Sequence, residues 1–96
     1  MMHTELVREC NGGIQRVYRF SNGWGASVVR HSFSYGHERG LWELAVLKCD
    51  GDPNKWESWH LNYDHPESHG DVRGCLTETD VDIILESIKS GGKYLD

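Results

Sequence analysis

Ile14-Gln-Arg-Val-Tyr-Arg-Phe20, then Ser21-Asn-Gly-Trp-Gly25, then Ala26-Ser-Val-Val-Arg-His-Ser-Phe33: this run decides the fold. Its first part is short, aromatic and β-branched, which predicts a strand. Asn22-Gly23 is the strongest short hairpin signal, because both residues tolerate the positive φ of a type I′ turn. The third part is the return strand, with Ser27, Val29, His31 and Phe33 on one face and Ala26, Val28, Arg30 and Ser32 on the other.

Downstream, the polar, glycine-bounded residues 35–40 connect to Leu41-Trp-Glu-Leu-Ala-Val-Leu47, the most apolar strand. Trp42, Leu44 and Val46 share one face, and Leu41, Ala45 and Leu47 the other, interrupted only by Glu43. A strand apolar on both faces belongs in the middle of a sheet. Residues 49–55 are dense in turn formers. Trp56-Glu-Ser-Trp-His-Leu-Asn-Tyr63 reads as a fourth strand with Trp59, Leu61 and Tyr63 on one side, and residues 64–74 as a loop. Thr77 and Asp80 then form a near capping box, with Leu76 placed to pack on Val81. Val81, Ile84, Leu85 and Ile88 repeat at helical spacing, Lys89 suits the last turn and Gly91-Gly92 ends the helix. The expected architecture is α+β: an antiparallel meander of about four strands packed by one C-terminal helix, a single domain over residues 1–96 with its core in 14–90.

At 96 residues and 38% apolar, the chain can build one compact core. It has no apolar run long enough for a membrane span, and its start lacks the charged-then-apolar pattern of an export signal. Cys10, Cys49 and Cys75 are odd in number and form no CxxC pair, which fits free thiols in a reducing compartment. The net charge of −5 is unevenly spread: residues 1–48 balance at +2 and residues 49–96 at −7. An acidic second half argues against free nucleic acid as a partner and for a partner with a basic surface.

No specific enzyme signal is present. His60, His65 and His69, with Asp64, Glu67, Asp71 and Cys75 nearby, offer metal-ligand types without metal-ligand spacing. Asp50, Asp52 and Asn54 begin a calcium-loop pattern, but Lys55 stands where it needs Gly and Leu61 where it needs Glu, so the stretch is a turn. Ser27, Ser32, His31 and Cys75 lack the surroundings of a nucleophilic site, and the glycines at 23, 25, 36 and 40 build no phosphate loop. Two binding features remain. Glu78, Asp82 and Glu86, four apart, form one acidic ridge on the helix. With Asp64, Glu67 and Asp71 they suggest a contact surface. Trp24, Tyr35, Trp56 and Trp59 exceed what so thin a core holds, so they either pack on the open face of the sheet or stand exposed as interface anchors.

Through Arg19-Phe-x-Asn-Gly-x-Gly-Ala-Ser-Val-Val-Arg-His31, continuing x-x-Ser-Tyr-Gly36, and through Gly40-Leu-Trp-Glu-Leu-Ala-Val46, the chain resembles a family of small tailed-phage proteins. The Leu76-to-Asp80 helix start is similar too. The resemblance spans residues 14–90 and departs in 56–75, which is richer in Trp and His here. It implies phage origin and the host cytoplasm, with no particular activity. Small acidic phage proteins are often inhibitors of host defence, and host nucleases carry basic channels for nucleic acid. The expectation is therefore a non-enzymatic, cofactor-free inhibitor of anti-CRISPR or other anti-defence type. It would block a host protein or ribonucleoprotein complex through Glu78, Asp82, Glu86, Asp64, Glu67, Asp71, Trp56 and Trp59. Two alternatives stand beside it. One is sequestration of a nucleotide signal by Arg19, Arg30, His31 and Tyr35. The other is a metal-dependent hydrolase on residues 60–75. Homo-oligomerisation through the sheet face is compatible with all three.

Overall fold

The computed structural model describes residues 3–10, 12–30, 37–68 and 72–90. In chain order these form β1 (His3–Cys10), β2 (Gly13–Phe20), β3 (Trp24–Arg30), β4 (Trp42–Cys49), β5 (Trp59–Leu61), β6 (Arg73–Leu76) and α1 (Glu78–Lys89). All pairings are antiparallel, in the order β1-β2-β3-β4-β5, and β6 also pairs with β4. The α+β meander with a C-terminal helix is observed, but with six strands instead of about four.

The two extra strands have different origins. β1 is a polar edge strand paired with β2 over eight positions, from His3↔Phe20 to Cys10↔Gly13. An edge strand needs one neighbour and little burial, so it carries no strong apolar alternation. β6 falls inside the expected loop. Trp42 pairs with Leu76 and Leu44 with Arg73, so three steps on β6 match two on β4. The surplus residue is a bulge, and Cys75 takes a left-handed φ of 59° within it. β5 is shorter than expected. Residues 56–58 form a single 3₁₀ turn ahead of it, and Leu61 and Tyr63 are exposed.

The β2–β3 hairpin forms where expected with a different turn. Arg19 pairs with Gly25, and Gly23 N–H donates to Phe20 O at 3.2 Å. The loop is the three-residue Ser21-Asn22-Gly23, with positive φ (85°) at Gly23 and not at Asn22. Asn22 is thereby released for another use. Its Oδ1 accepts from Trp24 N–H, while its Nδ2 donates to Ile88 O (2.9 Å) and Lys89 O (3.0 Å). The hairpin tip caps the C-terminus of α1, whose last carbonyls have no partner within the helix. At the other end Thr77 Oγ1 accepts from Asp80 N–H, and Asp80 Oδ2 accepts from Thr77 N–H, completing the expected capping box. Gly91 and Gly92, expected to end the helix, lie outside the described residues.

β4 is central, with apolar residues on both faces as its pattern predicted. Leu44, Val46, Ala26 and Val28 face α1 and bury Val81, Ile84 and Ile88, with Leu76 in the same cluster. On the opposite face Val17, Leu47 and Trp59 form a second, smaller cluster, edged by Leu6 and Trp56. The described residues thus form two apolar layers on either side of one sheet, and among them α1 covers one.

Candidate functional site

On the outer face of α1, Glu78, Asp82 and Glu86 are all exposed, and Ile83 lies beside them at 64% exposure. The predicted ridge exists, but its charges differ in standing. Glu78 pairs with Arg16 at 3.0 Å and Glu86 with Lys89 at 3.2 Å. Among the described residues Asp82 alone of the three has no cationic partner. Asp80 is committed to the capping box, where hydrogen bonds from Thr77 hold its carboxyl below the ordinary carboxylate range.

The neighbouring acids separate. Asp64 is exposed. Glu67 is turned inward, accepting from Arg73 Nη1 (2.9 Å) and from Ser87 Oγ of the helix (2.8 Å), so it joins loop to helix. Asp71 lies outside the described residues. His65 is buried edge-on against Trp24, ring centres 4.6 Å apart, and its Nδ1 accepts from Glu67 N–H. Burial lowers its pKa, and the carboxylate of Glu67 partly opposes that.

Of the aromatics, Trp59 is core: 8% exposed, with its indole N–H donating to Pro53 O. Trp56 is half-buried beneath Arg19, whose guanidinium stands 3.7 Å from the ring centre. Trp24 is half-buried under Lys48 and packs on the helix-side core. Too large an aromatic count for one core is explained by two cores. Tyr35 lies outside the described residues.

The residue set of the nucleotide alternative is not brought together. Arg19 faces away from the helix over Trp56. Arg30 is on the helix side, where it and Arg16 stack on Trp42 at 4.4 and 4.1 Å. Alternation along paired strands keeps those faces apart, and His31 lies outside the described residues. For the hydrolase alternative, no group of three or more His, Cys, Asp or Glu among the described residues could hold a metal, and His69 and Asp71 fall outside them. Cys75 accepts from Arg39 Nη2 at 3.4 Å, Cys49 donates to Gly51 O, and Ser27 Oγ accepts from the Gln15 amide. Among the described residues no helix is long and apolar enough to cross a membrane.

Sequence reasoning missed one feature altogether. On the face away from α1, between β1 and the 50–58 loop, lies a groove of about 330 Å³. Across its floor runs a hydrogen-bonded row: Arg8 Nε to Gln15 Oε1 (2.7 Å), then Gln15 Nε2 to Ser27 Oγ (2.9 Å). The signal for it was the alternation of β1 itself, since Arg8, Gln15 and Ser27 become neighbours only once β1 is paired in register.

Comparison with protein-family models, curated proteins and solved structures finds no match to this chain.

Proposed function

We propose that this chain is a non-enzymatic binding protein whose outer helix face docks on the basic surface of a protein partner. It acts as a phage-encoded inhibitor would, by covering a surface that a host protein uses to handle nucleic acid. The observation that carries the reading is the line of Glu78, Asp82 and Glu86 beside exposed Ile83, on a helix capped at both ends. An apolar anchor flanked by charges is the usual make-up of a binding epitope. A helix already fixed in place gives up little freedom on docking. The ion pairs to Arg16 and Lys89 are exposed and weak, and a basic partner can displace them.

The test is capture from a bacterial lysate over a salt series, with Glu78→Lys/Asp82→Lys/Glu86→Lys and Ile83→Asp as comparison baits. A partner held by the unaltered chain, released by salt and lost with both variants supports the reading. Circular dichroism must show both variants folded. A partner retained equally by all three baits overturns it.

A further inference from the structure

We infer that the groove on the helix-free face of the sheet is a binding site for a small aromatic carboxylate. The inference is independent of the helix surface, which lies on the other side of the sheet.

The groove is built, and not left over. Two hydrogen bonds converge on Pro53 O, from Trp59 Nε1 (3.1 Å) and Arg19 Nη1 (3.0 Å), and Asp50 N–H donates to Ser58 O (2.7 Å). These hold the 50–58 loop against the sheet, where Trp56 lines the groove with one ring face under the Arg19 guanidinium. Leu6 and Val17 supply apolar floor beside it. A flat, apolar body fits between such surfaces, and the volume of about 330 Å³ is at the small end of the ligand range.

The polar row sets the sign of what enters. Gln15 Oε1 accepts from Arg8, which turns the amide nitrogen toward Ser27, and Ser27 Oγ accepts in turn. What the row has left to offer is the hydroxyl hydrogen of Ser27, the second amide hydrogen of Gln15 and the terminal nitrogens of Arg8, beside a spare lone pair on each of the Gln15 and Ser27 oxygens. No carboxylate is among the described lining residues, in a chain of net charge −5. A groove whose one charged group among the described lining residues is a guanidinium, with amide and hydroxyl hydrogens beside it, is complementary to an anion with acceptor oxygens. The planar fork of arginine matches a carboxylate. The aromatic wall selects a ring for the rest of the molecule.

The probe is 2-naphthoate, with 2-naphthamide as its uncharged counterpart, titrated into the full chain by calorimetry and followed by amide and indole NMR shifts. The expected result is one saturable site for 2-naphthoate, with shifts at Arg8, Gln15, Ser27 and the Trp56 indole. The amide should bind about tenfold more weakly or not measurably. Arg8→Gln should weaken 2-naphthoate about tenfold without unfolding the chain, and Ser27→Ala, on a different strand, should weaken it also. Thr79→Ala, at an exposed position on α1, should leave binding unchanged. Absence of saturable binding at millimolar probe overturns the inference. So does equal affinity for acid and amide, or shifts confined to the helix face.

Discussion

Asn22 shows how much one side chain can carry. It holds the turn through Oδ1 and caps α1 through Nδ2, and the two roles can be separated. Asn22→Ala should cost about 1–2 kcal/mol, from the loss of hydrogen bonds to partly buried carbonyls. Asn22→Asp keeps an oxygen for Trp24 N–H but puts a negative charge at the negative end of the helix dipole. It should be at least as destabilising as Asn22→Ala, and urea midpoints of the two variants check the order. Thr77→Ala, at the opposite end of the helix, should cost about 1 kcal/mol by the same measurement. Legibility differs between the two caps. Thr77 and Asp80 sit three apart in the chain, so their box can be read directly. Asn22 and Ile88 are 66 residues apart, and nothing local announces their bond. Asn22-Gly23 was correctly a hairpin signal, and the turn type failed because it ignored this distant demand on the Asn. Gly12, at φ 80° just ahead of β2, is a turn residue whose hairpin signal the sequence reading did not use.

Among the described elements, the segment that carries His65, between β5 and β6, makes stability answer to pH near neutrality. His65 is packed on Trp24 and accepts at Nδ1, so the folded chain favours its neutral ring. Its pKa is lowered from the ordinary 6.5. The unfolded chain therefore binds the proton more readily, and stability rises with pH through this window. The contribution is fully present above about pH 7 and is lost as the pH falls below 6.5 toward the lowered folded value. Melting temperatures between about pH 5 and pH 7.5 should climb in the unaltered chain and climb less steeply in His65→Gln. Asp80 works in a separate and lower range, since its depressed pKa makes its contribution fade only as the pH falls below 3.8. The sequence marked residues 64–74 as polar and aperiodic, and so as loop. The bulge at Cys75 is why β6 was lost: one surplus residue breaks the period of two on which strand reading depends. The burial of His65 and the inward turn of Glu67 were equally hidden, because both look like solvent residues until Trp24 packs on the one and Ser87 of the helix bonds the other.

For the molecule as a whole, charge and apolar surface are divided between two sides. The helix side bears the acidic ridge, and the other side bears a groove whose one charged group among the described lining residues is the Arg8 guanidinium. The −7 balance of the second half made the ridge readable in advance. The groove was not, because it is assembled from β1, β2, β3 and the 50–58 loop, and no single segment contains it. The first expected site therefore came from one helix, where spacing in sequence is spacing in space. The second required the sheet.

The first five strands lie in the sheet in the order in which they occur in the chain. Each neighbour is then reached by closing a short loop, and the entropic barrier to pairing is small at every step. The pairing of Trp42 with Leu76 and the longer-range bond of Asn22 to Ile88 both wait for the last quarter of the chain. The route to the native state should reflect this, with β2, β3 and β4 zipping early and the helix arriving after the barrier. Stopped-flow chevrons should show Asn22→Ala accelerating unfolding with little change in the folding arm, whereas Val28→Ala should slow folding. A nascent chain leaving the ribosome would follow the same schedule, with β1 to β4 free to pair before the helix that covers them has emerged.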